Sequence, residues 1–95
     1  MSHRTFALAA RVSTESPAPV RRALRELLPN ATVRRVEDDL VVTASVRGAA
    51  ARDLNRALLS GLRRAEKRTR LRAEWTSGGT TERFFDYVPK GSRKA

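Results

Sequence analysis

The feature that most constrains this chain is a change of hydrophobic period at Gly48. Residues 40–47 repeat with period two, with apolar side chains on one face and, apart from Val41, polar side chains on the other, as in a half-buried strand. From Ala49 to about Arg70 the apolar residues recur at helical spacing, with cations on the opposite side. A strand that leads into a long amphipathic helix needs a second layer against which both can bury their apolar faces. We therefore expect a layered structure that contains both helix and sheet.

The other elements follow from the same two periods and from turn residues. Ser16 can cap the free N–H groups of a helix and Pro17 is tolerated in its first turn, so we expect a helix to begin there. The elements predicted besides those on either side of Gly48 are a strand at 5–12, a helix up to about residue 28, a weaker strand at 31–36, a turn at 37–39 and a hairpin with strands at 71–76 and 81–88.

The order of these elements, β-α-β-β-α followed by a β-hairpin, predicts an α+β fold. We expect a two-layer sandwich with an antiparallel sheet and both helices on one face of that sheet. Ferredoxin-like and KH-like small domains share this order. A chain of 95 residues builds one modest core, so we expect a single domain at 1–88 and a flexible basic tail at 89–95.

The loop Gly78-Gly79 predicts which side chains of the hairpin share a face. Two glycines suit the positive φ angles of a two-residue turn, which pairs Glu74 with Arg83. This register also turns Glu82 and Asp86 inward, which counts against it, and a slip by one residue would exchange the two faces. The predicted inner side chains are those of Leu71, Ala73, Trp75, Phe84 and Val88, and the outer ones are those of Arg72, Glu74, Arg83, Phe85 and Tyr87.

Composition excludes several classes of function. The chain has no cysteine and a single histidine, which argues against thiolate chemistry, disulfides and Cys- or His-rich metal sites. No nucleophile is paired with a base, and no apolar run approaches the roughly 20 residues that span a bilayer. We therefore expect no enzyme activity, cofactor, metal, small-molecule substrate or membrane association. Residues 1–14 are basic without an acid, as in an organellar transit peptide, but their alternation favours a strand in a cytoplasmic protein.

The charge of the chain points to an anionic partner. The formal net charge is +10, and 17 of the 20 basic residues are arginine. Such a chain attracts a phosphate backbone, and guanidinium can hold phosphate through two parallel hydrogen bonds. The alternatives are a solvated helix surface and an acidic protein partner. On the predicted helix after Gly48, the cations opposite the leucines are Arg52, Arg56, Arg63, Lys67 and Arg70.

Three large apolar side chains fall outside the predicted core. The hairpin register turns Phe85 and Tyr87 outward beside Arg72 and Arg83, an arrangement that single-stranded RNA binders use to stack bases. A protein interface or simple exposure explains the same pattern. Leu59 lies among the cations of the helix rather than with its leucines, so we expect either a protein contact or an isolated exposed side chain.

The segment Leu40–Arg64, LVVTASVRGAAARDLNRALLSGLRR, resembles the small dimerising subunit of the KEOPS complex. The β-α-β order before it and the helix sequence VRRALRELLP at 20–29 extend the resemblance over about residues 5–66. It implies a non-catalytic subunit of the machinery that forms threonylcarbamoyl-adenosine in tRNA, one that pairs with itself and binds the kinase-like catalytic subunit. The family's helix motif, D-L-x-x-A-L-x-x-x-L, is matched by Asp53, Leu54, Ala57, Leu58 and Leu62.

Together these features predict a non-enzymatic, RNA-associated accessory protein whose RNA partner is tRNA or rRNA. The resemblance makes a KEOPS-like adaptor the most specific version, with a homodimer or another protein partner. A self-standing RNA- or ribosome-binding domain and a structural adaptor that binds an acidic protein are the alternatives. The predicted nucleic-acid-binding residues are Arg52, Arg56, Arg63, Lys67, Arg70, Arg72, Arg83, Phe85 and Tyr87, and the predicted protein-interface residues are Leu59, Phe85 and Tyr87.

Overall fold

Two helices and five strands follow one another in a computed structural model, which describes residues 4–85. The predicted α+β class and the predicted order of elements are confirmed. The domain boundary at residue 88, the basic tail at 89–95 and Tyr87 lie outside the described residues. The elements are β1 (Arg4–Ser13), α1 (Pro17–Leu27), β2 (Thr32–Val36), β3 (Asp39–Gly48), α2 (Ala51–Ala65), β4 (Arg70–Ser77) and β5 (Thr80–Phe85).

The strands form an antiparallel sheet in the order β2-β3-β1-β4-β5. Strand β1 is central and pairs with β3 on one side and with β4 on the other. The units β1-α1-β2 and β3-α2-β4 each cross over one intervening strand, which is the split β-α-β arrangement of ferredoxin-like domains. Strand β5 extends this sheet through a hairpin at the β4 edge.

Both helices pack on the same face of the sheet and enclose the hydrophobic core with it. Every second residue of β1 points to that face, so Phe6 and Val12 are almost fully buried near its two ends. Trp75 of β4 packs beside Phe6 with the rings edge to face and their centroids 6.4 Å apart. The core consists of Phe6, Leu8, Ala10, Val12, Val20, Leu24, Leu40, Val42, Ala51, Leu58, Leu59, Leu62, Leu71, Ala73 and Trp75.

The β4–β5 hairpin has the predicted register. Gly78 and Gly79 adopt φ angles of 59° and 83°, which side chains with a Cβ rarely tolerate, and Glu74 pairs with Arg83. From residue 71 to residue 85 the predicted inner and outer side chains lie on the predicted faces. Glu82 is on the helix side of the sheet, as this register requires, but it stays exposed because β5 is an edge strand.

Helix α2 ends at Ala65, five residues before the predicted end. A turn held by side chains, with neither glycine nor proline, follows it. The buried Thr69 donates its Oγ1 hydrogen to the Glu66 carbonyl oxygen at 2.7 Å. Arg63 Nε then donates to the Thr69 carbonyl oxygen at 2.9 Å. These bonds satisfy groups at the end of the helix and redirect the chain into β4.

The buried face of α2 is rotated relative to the prediction. Leu59, expected beside the cations, is only 3% exposed and belongs to the core, so its assignment as an exposed protein contact is wrong. Asn55 is also buried, whereas Ala57, which matches the apolar helix motif, is exposed. The rotation lets Trp75 Nε1 donate a hydrogen bond to Asn55 Oδ1 at 3.1 Å. A buried indole N–H needs such an acceptor, and apolar periodicity alone does not reveal it.

Helix α1 begins after Ser16 as predicted, but the serine side chain does not cap it. The Ser16 hydroxyl donates instead to Glu66 Oε2 at 3.2 Å, which links the start of α1 to the turn after α2. Leu27 of α1 is 39% exposed, and its side chain lies over Gly61 of α2. The two helices therefore approach each other closely at Gly61, which has no side chain to keep them apart.

Replacing Asn55 by leucine should destabilise the protein by about 1–3 kcal/mol, because the Trp75 indole N–H would lose its acceptor inside the core. Urea denaturation followed by the fluorescence of Trp75, the single tryptophan, measures this change. Ser60→Ala, at an exposed position of the same helix, is the control and should change the free energy of unfolding by less than about 0.5 kcal/mol. Equal stability of Asn55→Leu and wild type would show that the hydrogen bond contributes nothing.

Candidate nucleic-acid interface

The face of the sheet opposite the helices, here called the open face, carries a row of side chains that crosses all five strands. Directly paired residues of an antiparallel sheet point to the same side, so these side chains form a continuous line. Neighbouring strands lie about 4.8 Å apart, which makes the line about 19 Å long. From β2 to β5 it consists of Arg34, Val41, Arg11, Arg72 and Phe85. We call Arg34, Arg11 and Arg72 the arginine row.

Small side chains occupy the open face beside the arginine row. Ala9 pairs with Thr43 and Ala7 pairs with Ser45, next to Thr76 of β4. These five residues contribute to a shallow depression of about 540 Å³. Because none of these side chains projects far from the sheet, a flat ligand can approach the backbone of the central strands closely.

Two carboxylates on the open face are held by arginines. Asp39 accepts hydrogen bonds from Arg11 Nε at 2.6 Å and from Ser13 Oγ at 2.9 Å. These bonds, the one from Arg11 first, hold the pKa of Asp39 below its usual value despite the opposing effect of partial burial. Nearer the hairpin loop, Glu74 Oε2 accepts a hydrogen bond from Arg83 Nε at 2.9 Å. Arg11 and Arg83 are therefore fixed in position and partly neutralised.

Other arginines leave the open face positive. Within residues 4–85, no carboxylate oxygen lies within 4 Å of the guanidinium groups of Arg34, Arg47 or Arg72. The Arg72 guanidinium instead lies 5.7 Å from the centre of the Phe85 ring, which is a cation–π contact. Phe85 is 68% exposed, although large aromatic side chains usually bury most of their surface. The ring borders a depression of about 250 Å³ whose other lining residues are Arg11, Ser13, Asp39, Arg70 and Arg72.

The structure divides the predicted nucleic-acid-binding residues between two sides of the molecule. One group shares the open face, and the other lies on α2, beyond the core. The two groups cannot contact one short ligand together, because the sheet and the helix layer separate them. The open face holds Arg70, Arg72, Arg83 and Phe85, and α2 holds Arg52, Arg56 and Arg63.

The predicted helix stripe is wrong beyond Arg63. Lys67 lies in the turn between α2 and β4, and Arg70 is the first residue of β4. Arg63 is itself half-buried and bonded to the carbonyl of Thr69, so part of its hydrogen-bonding capacity serves the turn. The prediction for Tyr87 lies outside the described part of the chain.

Sequence reasoning missed Arg11 and Arg34, the two members of the arginine row from the first half of the chain. Both alternate with inward residues, Arg11 with Val12 and Arg34 with Val33, so their outward direction was readable. Their alignment with Arg72 could not be predicted from the sequence, because it depends on β1 lying between β3 and β4.

The described residues offer guanidinium, hydroxyl and aromatic groups rather than a metal centre. Between residues 4 and 85, no three His, Cys, Asp or Glu side chains are grouped so that they could hold a metal ion. Neither α1 nor α2 has the length and apolar content needed to cross a membrane.

Replacing Asp39 by asparagine should lower the stability of the fold at neutral pH. It should also make that stability depend less on pH in the acid range. The folded-state pKa of Asp39 is below its unfolded value of about 3.9, so the ionised carboxylate stabilises the fold above that pH. This contribution is lost as the pH falls through the folded-state pKa. The gap in Tm between wild type and Asp39→Asn should therefore narrow from about pH 6 to about pH 3 in circular dichroism melts.

The control for this measurement is Asp38→Asn. Asp38 is exposed and makes no hydrogen bond or ion pair with the described residues, so its replacement removes the same charge without breaking such a bond and should lower Tm at neutral pH less than Asp39→Asn does. A constant gap in Tm for Asp39→Asn across the acid range would contradict the assigned role of its hydrogen bonds.

Comparison with known proteins gives the fold of this chain. No family model matches the chain, and neither does any curated protein. A solved structure that is similar is the de novo designed protein Foldit4, with a TM-score of 0.51 and 15% sequence identity, covering 79% of this chain and 97% of that chain. The resemblance of Leu40–Arg64 to the KEOPS subunit stays a prediction, and similarity to a solved structure is shown for the fold alone.

Proposed function

We propose that this chain is a non-enzymatic protein that binds single-stranded RNA on the open face of its sheet. The observation that carries this proposal is the arginine row, which crosses the sheet and ends at the exposed ring of Phe85. Guanidinium groups beside an exposed aromatic ring supply the two interactions that single strands need, contacts to phosphate and a surface for stacking.

Phosphate contacts are the first part of this proposal. Arg34 and Arg72 lie on opposite sides of the central strands, and neither is paired with a carboxylate in the described part of the chain. A strand laid across the sheet would bring successive phosphates past these two groups and past Arg11 between them. Release of counterions from the RNA then favours binding, and this gain decreases as salt increases.

Base contacts are the second part. The ring of Phe85 is already flanked by Arg72, and a base stacked on it would gain about 1–3 kcal/mol. Further bases would lie over the small side chains of the central strands. The hydroxyl groups of Thr43 and Ser45 lie on the same face and can bond to ribose 2′-hydroxyls, which DNA lacks, whereas the Thr76 hydroxyl is already hydrogen-bonded to that of Thr81 at 2.8 Å. RNA is therefore favoured over DNA as the ligand.

Two other functions predicted from the sequence give different results in the same experiments. If the anionic partner binds α2, Arg52 and Arg56 carry the contact and the open face does not contribute. If the partner is an acidic protein, as a KEOPS-like or other adaptor role allows, the affinity for RNA should be weak and should not change when Phe85 is replaced. The arginine row favours the open face over both, because it places Arg72 beside the exposed ring of Phe85 and aligns it with two more arginines.

Replacing Arg34 and Arg72 by glutamine should weaken binding of a fluorescein-labelled oligouridylate measured by fluorescence anisotropy. The slope of log K against log salt should also fall by about 0.7 for each phosphate that the variant no longer neutralises. Phe85→Ala should reduce the affinity by about 1–3 kcal/mol and leave the salt slope unchanged, because stacking does not release counterions. The matching oligodeoxyuridylate should bind more weakly than the RNA.

The matched control is Arg52→Gln with Arg56→Gln, which removes the same charge from α2. It should change the affinity much less than the open-face pair does. If the α2 pair has the larger effect, the helix is the binding surface and our placement is wrong. If neither pair alters binding, or if no RNA binds at low salt, the chain is not an RNA-binding protein of this kind.

A further inference from the structure

We propose that a groove between α1 and β2 binds a chain of two or three linked phosphates. The groove has a volume of about 440 Å³ and is lined mainly by arginine side chains. It lies on the helix side of the sheet, so it is separate from the open face and does not depend on the proposed function. The arginines of this α1–β2 groove are Arg21, Arg22, Arg25 and Arg35.

Helical spacing and strand alternation bring these arginines together. Val20 and Leu24 bury one side of α1, and Arg21 and Arg25, one position further along, lie one turn apart on its flank. Arg35 pairs with Leu40 across the β2–β3 hairpin, so it points to the side of the sheet that α1 covers. Because β2 is an edge strand, this side chain reaches the groove from the opposite wall.

The described residues supply no carboxylate to these four guanidinium groups. None of them forms an ion pair within residues 4–85, and like charges one turn apart on a helix repel each other. Arg35 Nε donates to the Glu37 carbonyl oxygen at 3.3 Å, whereas Arg21 Nε is buried and has no acceptor among the described residues. The fold therefore concentrates positive charge and one unsatisfied donor at a single place, and an anion with several oxygens would stabilise it.

The amount of charge in the groove selects the class of ligand. A phosphodiester carries one negative charge and would leave most of the four arginines uncompensated, whereas terminal and linked phosphates carry more. Helix α1 begins at Pro17 beside the groove and has no acid in its first turn, so the positive end of the helix dipole adds to the same field. Inorganic tripolyphosphate, a nucleoside triphosphate and the 5′-triphosphate end of an RNA share this chemistry.

Isothermal titration calorimetry with inorganic tripolyphosphate tests the groove. We expect saturable binding at one site, and Arg25→Gln with Arg35→Gln should weaken it by about tenfold or more, because charge-assisted hydrogen bonds are removed. Both side chains are exposed, so this variant should fold. The control, Arg34→Gln with Arg72→Gln, removes the same charge from the open face and should leave Kd within about twofold of wild type, because exposed charges are screened over the intervening distance.

A second measurement follows Arg21 in the wild-type protein. Its Nε–H is buried, so its NMR signal should be protected from exchange with water, and it should shift as tripolyphosphate fills the groove. The proposal is overturned if tripolyphosphate does not bind, if the signal does not move at saturation, or if the open-face control weakens binding as much as the groove variant does.

Further titrations at equal ionic strength identify where the phosphates come from. They compare tripolyphosphate alone, adenosine triphosphate, and an oligouridylate with either a 5′-triphosphate or a 5′-hydroxyl. Among these, the probe whose affinity falls most in the variant with Arg25→Gln and Arg35→Gln identifies the source of the phosphates. If the groove variant weakens tripolyphosphate binding but the arginine-row variant does not weaken RNA binding, the groove is supported and only the proposed function is rejected. If the arginine-row variant weakens RNA binding but the groove variant does not weaken tripolyphosphate binding, only the groove is rejected.

Discussion

The core and the open face both depend on the pairing of β1 with a neighbour on each side. Because side chains alternate along a strand, this pairing places Phe6 and Val12 in the core and Arg11 on the opposite face at the same time. A slip of β1 by one residue would bury a guanidinium group and expose the ring of Phe6. Burial of an unpaired charge is costly, so charge and apolar packing both protect the same register.

Local rules were sufficient where one or two residues decide the outcome. The positive φ angles of Gly78 and Gly79 set the register of the last hairpin, and the alternation of residues 40–47 located β3 and its inner face. The same rules failed at the end of α2, because Thr69 stops that helix through side-chain and backbone bonds that no glycine or proline announces. They failed at Leu59 because the buried face of α2 includes Asn55, whose hydrogen bond to Trp75 is not revealed by apolar periodicity.

The candidate site was only partly readable for a related reason. Arg72, Arg83 and Phe85 belong to one hairpin, so local register was enough to place them on one face. Arg11 and Arg34 join them only through the order of strands across the sheet, which is a property of long-range packing. The predicted stripe on α2 needed helical periodicity alone, and its last members fall outside the helix because the helix ends early. Positive charge therefore lies on both sides of the core.

The ion pair between Arg11 and Asp39 has a consequence for any anion that reaches the middle of the open face. Asp39 already engages the Arg11 guanidinium at 2.6 Å, so an incoming anion must displace the carboxylate or share the guanidinium with it. The carboxylate is a tethered competitor whose effective concentration stays the same however dilute the ligand is. A single small ion is at a disadvantage in this exchange, whereas a ligand that contacts several arginines at once is not. The ion pair thereby favours anions that contact several arginines over small single ions at this position.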